Sequence, residues 1–151
     1  MLLLSLPHIM INERSFGVIP LQLRSDGYYL FLVQHSSYAW LLPKGHAEPS
    51  ETPKETASRE LVEETALKVV EWLDHAPFIE HYRFKRGEKE IYKEATYFPA
   101  LVEGETQLQT EELLDGKWIP IKEFSERATF PEMKRIASEV SSWLSGKREY
   151  E

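Results

Sequence analysis

Cysteine is absent from all 151 residues of the chain. Its absence excludes disulfides, thiolate-bound metal and a cysteine nucleophile. No apolar run approaches the ~18 residues that a membrane-spanning helix needs. The apolar start, MLLLSL, lacks the positive charge and the roughly 7–15 apolar residues of a secretory signal peptide. We therefore expect a cytoplasmic protein with no membrane partner.

Basic residues are in deficit, with 18 lysines and arginines against 25 aspartates and glutamates and a net charge of −7. A nucleic-acid footprint normally needs a basic face, so we expect no DNA partner.

The chain length suits one domain with a full core, and the sequence shows no internal repeat. We expect residues 1–14 to be a lead-in segment, residues 15–145 a single domain and residues 146–151 a charged tail. Runs rich in β-forming residues indicate strands at 16–24, 28–35, 40–42, 68–76, 77–85, 90–102 and 116–120. The Asp-Gly pair between the first two runs indicates a hairpin. Helical spacing indicates a helix after Thr52 and two C-terminal helices at 122–127 and 131–144. Together these elements predict an α/β sandwich.

The helix after Thr52 has strong start signals and an unusual acidic face. Thr52 at the N-cap, a following proline and Glu55 three residues after the cap form a capping-box pattern. Glu60, Glu63 and Glu64 have i, i+3 and i+4 spacing, so they share one face of the helix. Mg²⁺ is held by a few carboxylates together with substrate phosphates. The alternative is an ordinary amphipathic helix with a solvated acidic face.

The spacing of residues before and along this helix favours the metal site. The chain resembles the Nudix hydrolase signature, and the matching residues are Gly45, Glu51, Arg59, Glu60, Leu61, Glu63, Glu64 and Leu67. One position departs, because Ala66 stands where the family usually has glycine. If that position requires a positive φ, alanine there is strained. The resemblance implies a Nudix-type α/β/α sandwich with a mixed sheet.

The resemblance also implies roles for the signature residues. Glu60, Glu63 and Glu64 would bind Mg²⁺, with Mn²⁺ as the alternative metal. Glu63 or Glu64 would take the proton of the attacking water. A further carboxylate sometimes comes from the loop before the last strand, where Glu112 is a better candidate than Glu111.

The remaining signature residues have supporting roles. Glu51 and Arg59 are interpreted as a structural pair that orients the helix. Lys44, beside Gly45, is a catalytic candidate because its cation can meet a phosphate. His46 could donate to a phosphate oxygen or make a structural hydrogen bond.

A wider pattern, WLLPKGHAE at 40–48, resembles the asymmetric diadenosine tetraphosphate hydrolases. In that group a tyrosine stacks on adenine, a lysine contacts phosphate and a phenylalanine faces the same adenine. The matching residues here are Tyr82, Lys93 and Phe130, and the last opens the segment FPEMK. The structural alternatives are a core or exposed tyrosine, a solvated lysine and a phenylalanine that packs the last helix on the sheet.

These patterns favour a monomeric, Mg²⁺-dependent enzyme that binds a small nucleotide. The preferred reaction is asymmetric hydrolysis of diadenosine tetraphosphate to ATP and AMP. An alternative is a Nudix pyrophosphohydrolase of capped RNA 5′ ends or of another nucleoside diphosphate derivative. A hypothesis of another class is a nucleotide-binding module without catalysis, which would be expected to lose at least one of the three acidic ligands.

Overall fold

A computed structural model describes residues 10–108 and 111–148 of the chain. In these ranges, eight strands form one mixed sheet: β1 Met10–Arg24, β2 Gly27–His35, β3 Trp40–Leu41, β4 Lys44–Gly45, β5 Lys68–Trp72, β6 Phe78–Arg86, β7 Lys89–Glu103 and β8 Leu113–Pro120. The same ranges contain three α-helices: α1 Pro53–Thr65, α2 Phe124–Arg127 and α3 Pro131–Arg148. No helix in the described ranges is long and apolar enough to cross a membrane.

The sheet is organised around β1. This strand pairs with β7 in parallel over residues 10–21 and with β2 in an antiparallel hairpin. The hairpin turns at Ser25 and Asp26, and Gly27 has the positive φ of 127° that this tight turn requires. The predicted Asp-Gly hairpin is therefore confirmed. β4 pairs with β1, β6 and β5 pair with β7, and β8 pairs with β2, all antiparallel.

Helices cover both faces of the sheet, because alternate side chains of each strand point to opposite faces. On one face, Ile19 and Leu21 of β1 belong to a core with buried residues of α2 and α3. On the other face, Phe16 and Val18 belong to a core with Ala57 and Leu61 of α1. The mixed α/β sandwich predicted from the sequence is confirmed.

Several element boundaries differ from the sequence prediction, and one of them is the start of β8 at Leu113 rather than at residue 116. β1 begins at Met10, because residues 10–14 pair with Glu90–Glu94 of β7. β5 ends at Trp72 rather than at residue 76, and α3 continues to Arg148. Residues 1–9 of the expected lead-in segment and 149–151 of the expected tail lie outside the described residues.

Candidate active site

Helix α1 carries the three acidic side chains, and its ends are defined by local interactions. The Thr52 hydroxyl accepts a hydrogen bond from the Glu55 backbone N–H at 3.2 Å, and the Glu55 carboxylate accepts one from the Thr52 N–H at 3.1 Å. The predicted capping box is thus confirmed. At the other end, Ala66 adopts a left-handed conformation with φ 67° and donates its N–H to the Val62 carbonyl.

Arg59 connects the loop before α1 to the acidic face. Its Nε lies 2.7 Å from one Glu51 oxygen and its Nη2 lies 3.1 Å from the other, which is a bidentate pair. Its Nη1 lies 3.1 Å from both Glu60 and Glu63, and Nη2 donates to the His46 carbonyl at 2.9 Å. Arg59 therefore fixes the loop and shields part of the acidic face.

Glu51 is held by more than this arginine. Its carboxylate also accepts hydrogen bonds from the Glu48 backbone N–H at 2.8 Å and from the Thr56 hydroxyl at 2.9 Å. The hydrogen bonds from Arg59, with that from Glu48, lower the pKa of Glu51 to about 2. Glu51 is therefore ionised throughout the neutral range and anchors Arg59 from behind the acidic face.

Gly45 lies on β4 directly against Glu60. A Cβ atom added at residue 45 would overlap the Glu60 carboxylate, so only glycine lets the strand and the helix approach this closely. β4 is held in place by pairing with β1, where Gly45 is opposite Phe16. The glycine of the signature thus creates the space that the Glu60 carboxylate occupies.

The three acidic side chains lie in different environments. Glu64 accepts a hydrogen bond from the Lys44 backbone N–H at 3.0 Å. Burial, reinforced by the nearby Glu60 carboxylate, raises the pKa of Glu64 to about 8. Burial also raises the pKa of Glu60, against the opposing effect of Arg59. The side chain of Glu63 is 55% exposed.

These glutamates open into a cleft of about 370 Å³, here called the acidic cleft. Its lining residues are His35, Lys44, Gly45, His46, Glu48, Arg59, Glu60, Glu63, Glu64, Glu112 and Leu113. Of the two loop candidates, Glu112 lines this cleft and Glu111 does not.

The oxygen donors of the acidic cleft are suited to a hard cation, although their side chains are not arranged as a complete metal-coordination site. Within the described ranges, no three His, Asp or Glu side chains already converge on a position that could hold a metal ion. Carboxylate oxygens are the donors that Mg²⁺ prefers. Burial raises the pKa of both Glu60 and Glu64; the Glu63 charge adds to the rise at Glu60 and the Glu60 charge adds to the rise at Glu64, and a cation would relieve this repulsion.

A second cleft of about 380 Å³, here called the aromatic cleft, lies beside the first and shares Lys44 with it. Its lining residues are Leu41, Lys44, Glu80, Tyr82, Arg83, Phe130 and Glu132. Phe130 is 48% exposed. The segment before α3 is tied to β3 by a 2.9 Å hydrogen bond from the Trp40 N–H to the Thr129 hydroxyl. This contact holds Phe130 at the rim of the cleft.

Lys44 is fixed at the junction of the two clefts. Its Nζ lies 3.3 Å from the Tyr82 hydroxyl and 3.8 Å from the Glu80 carboxylate. Burial lowers the pKa of Lys44, and the Glu80 charge opposes that effect. Burial and the Glu80 charge raise the pKa of Tyr82 to about 12, so its hydroxyl stays protonated at neutral pH.

Most of the site residues suggested by the sequence come together in these two clefts. Lys44, Gly45, His46, Arg59, the three glutamates and Glu112 line the acidic cleft, and Tyr82 and Phe130 line the aromatic cleft. Glu51 lies outside the acidic cleft, behind Arg59. Lys93 lines neither cleft, although it is the register partner of Tyr82 on β7.

The folded sheet also brings into the site residues that no sequence motif pointed to. His35, at the end of β2, lines the acidic cleft, and burial followed by the Lys44 charge lowers the pKa of its imidazole. Glu80 is only 4% exposed and accepts a hydrogen bond from Tyr97 at 2.8 Å. The signal for Glu80 is a charged residue at an inward position of an alternating strand.

Comparison with known proteins supports the fold seen here. The Ap4A hydrolase of C. elegans, solved as a binary complex, has a TM-score of 0.68 and 21% identity, covering 89% of this chain and 98% of that chain. The NUDIX domain of NrtR from Shewanella oneidensis, solved with ADP ribose, has a TM-score of 0.70 and 17% identity, with 88% of each chain covered.

Sequence comparison gives a relative and a family. The protein named "Putative mutator protein MutT4" of Mycobacterium tuberculosis is 32% identical over 111 residues, which are 72% of this chain. This chain spans only 43% of the length of that relative. A model of the NUDIX domain matches residues 12–144. The match covers most of the chain, including both clefts, and the chain therefore belongs to the NUDIX family.

Proposed function

We propose that this Nudix hydrolase cleaves diadenosine tetraphosphate asymmetrically to ATP and AMP, in the presence of Mg²⁺ or, alternatively, Mn²⁺. The observation that carries the proposal is that the acidic and aromatic clefts are neighbours and share Lys44. Off-centre cleavage requires one adenosine to be anchored at a fixed distance from the reacting phosphate. A base site joined to a phosphate site by one lysine meets that requirement.

The aromatic cleft supplies the anchor. Tyr82 and Phe130 both line it, and stacking on aromatic side chains contributes roughly 1–3 kcal/mol per base. The adenosine would occupy this cleft, with its phosphates passing Lys44 towards α1. Lys44 and His46, which line the clefts, would supply a cation and a hydrogen-bond donor to the phosphate oxygens along this path, and Lys93, which lines neither cleft, would add its charge from beside Tyr82.

The acidic cleft supplies the groups for hydrolysis. Nudix hydrolases generally use divalent metal ions such as Mg²⁺, and Glu60, Glu63 and Glu64 would hold the metal here. When bound, such an ion neutralises phosphate charge and lowers the pKa of water. Glu63 or Glu64 would accept the proton of the attacking water, and Glu112, which also lines the cleft, would assist.

Product analysis tests the proposal directly. The protein is supplied with diadenosine tetraphosphate and Mg²⁺ in water labelled with ¹⁸O. The nucleotide products are separated, and the ¹⁸O content of each is measured by mass spectrometry. We expect ATP and AMP in equal amounts, with the label in AMP, because water attacks the phosphate fourth from the anchored adenosine. Formation of two ADP molecules would refute the asymmetric mechanism.

The acidic residues are tested by amide substitution. Glu63→Gln should lower kcat by at least about 100-fold, the scale of general acid–base effects, while the unfolding temperature changes little. Glu126→Gln, which alters an exposed glutamate on α2, is the matched control and should leave kcat unchanged. If Glu63→Gln behaves like the control, Glu63 has no part in the mechanism.

A substrate panel separates the alternatives within the family. Capped RNA 5′ ends and other nucleoside diphosphate derivatives should be turned over with a lower kcat/KM than the dinucleotide. A higher value for one of them would reassign the substrate. Calorimetric binding of the dinucleotide without any Mg²⁺-dependent turnover would instead indicate a non-catalytic module.

A further inference from the structure

We propose that Glu80 is a positioning residue, which holds the Lys44 ammonium group at the junction of the two clefts. The inference rests on the proposed function only in assuming that Lys44 meets a substrate phosphate. Glu80 lies outside the signature around α1, on β6, and reaches Lys44 through the pairing of β6 with β7.

The contacts of Lys44 show how its side chain is constrained. Its backbone N–H donates to Glu64 in the acidic cleft at 3.0 Å. Its Nζ lies 3.3 Å from the Tyr82 hydroxyl and 3.8 Å from Glu80 Oε1, at the side of the aromatic cleft. A lysine stem is flexible and its ammonium is a point charge without a preferred direction. The position of the charge is therefore set by what surrounds Nζ, and Glu80 is the carboxylate that acts on it most strongly, ahead of Glu64.

Glu80 is itself held in place. The Tyr97 hydroxyl donates to the same Oε1 atom at 2.8 Å, and Tyr97 is fully buried. The side chains of Lys44 and Glu80 are only 14% and 5% exposed. The carboxylate thus has a buried phenol behind it and the ammonium in front of it, so a movement of Glu80 would move the lysine.

The buried surroundings of Glu80 are more polar than packing requires. Glu80 and Ser15 are both register partners of Ala95, so the three residues form one row across β6, β7 and β1. Within the described ranges, the Ser15 hydroxyl is buried without a hydrogen-bond partner. Phe78, Ala95 and Tyr97, on the same face, belong to the hydrophobic core. A carboxylate and an unpaired hydroxyl are therefore buried at the edge of an apolar cluster.

Such burial is poorly explained by stability. Taking two opposite charges out of water costs about as much as their attraction returns, and apolar replacements are often neutral or stabilising. The contact between Lys44 and Glu80 is also long, at 3.8 Å, so it is not an optimised ion pair. A role in fixing where the ammonium meets phosphate accounts for a carboxylate at this position.

A double-mutant cycle tests the inference. Glu80→Gln, Lys44→Met and the double variant are compared with the unaltered protein on whichever nucleotide of the substrate panel it hydrolyses best. Glu80→Gln should lower kcat/KM by about 10–100-fold, the size of effect seen when an orienting partner is removed. In the Lys44→Met background the same change should have less than about a twofold effect, because the group it positions is gone.

Binding gives a second cycle that does not depend on turnover. ATP is titrated calorimetrically into the same four proteins, and Glu80→Gln should weaken its binding only where Lys44 is present. Glu94→Gln is the matched control, since Glu94 is the neighbour of Ala95 on the opposite face of β7. Glu94→Gln should leave both kcat/KM and the affinity for ATP unchanged.

The outcomes separate the two proposals. Additive effects of the two substitutions in both cycles would overturn the positioning role. Non-additive effects on a mononucleotide or capped RNA would support the role of Glu80 while refuting the dinucleotide substrate. If the protein neither hydrolyses any nucleotide of the panel nor binds ATP, both proposals fail.

Discussion

Ala66→Gly should stabilise the fold, because residue 66 terminates α1 in a conformation that suits glycine. Ala66 has φ 67° and ψ 3°, and its N–H bonds to the Val62 carbonyl at 2.9 Å. Glycine would keep this backbone bond and lose only the methyl group, which is partly exposed. The usual family residue at this position is therefore explained by the left-handed end of the helix.

The magnitude follows from two opposing contributions. A left-handed conformation costs an L-residue with a side chain roughly 1–2 kcal/mol. The greater conformational freedom of glycine in the unfolded chain opposes this gain in stability by about 0.4–1 kcal/mol. We expect a net stabilisation of about 0.5–1 kcal/mol, or a rise of about 1–4 °C in unfolding temperature for a domain of this size.

Urea unfolding monitored by the fluorescence of the four tryptophans provides the assay. Ala76→Gly is the matched control, because it replaces alanine by glycine at a position without positive φ. It should destabilise the protein by about 0.4–1 kcal/mol, so the two substitutions should have opposite signs. Destabilisation by Ala66→Gly of the same size as by Ala76→Gly would show that the left-handed conformation is not what limits alanine here.

Three further predictions concern the acidic face. Gly45→Ala should destabilise the protein by about 1–3 kcal/mol and lower kcat, because the added methyl group would displace the Glu60 carboxylate. A free energy of unfolding and a kcat that both stay at the values of the unaltered protein would contradict this prediction. Because the pKa of Glu51 falls from 4.5 to about 2 on folding, its contribution to stability is present above pH 4.5 and is lost as the pH falls towards 2. The stability advantage over Glu51→Gln, measured by urea unfolding, should therefore shrink in that window, and a constant advantage would exclude Glu51 as the cause. Because burial raises the pKa of Glu64 to about 8, the rise in unfolding temperature caused by Mg²⁺ should grow as the pH increases towards 8. Glu64→Gln should weaken that dependence, and an unchanged one would remove Glu64 from the metal site.

Local signals in the sequence predicted the elements whose interactions are also local. The capping box at Thr52 and Glu55 involves residues three positions apart, and the Asp-Gly hairpin joins adjacent strands. The start of β1 at Met10 depends instead on pairing with Glu90, eighty residues later in the chain. β4 is only two residues long and exists because β1 pairs with it. No local pattern specifies either feature.

The same distinction applies to the candidate site. Glu60, Glu63 and Glu64 lie on one helix, so their spacing alone places them together. Glu80 reaches Lys44 only through the register of β6 on β7, and this requires the folded sheet. Because the proposed hydrolysis uses carboxylates of one helix and the proposed base selection uses side chains that only the folded chain brings together, a short motif identifies the reaction more readily than the substrate. We therefore expect substitutions on α1 to act mainly on kcat, and those at Tyr82 or Phe130 to change which nucleotide is preferred.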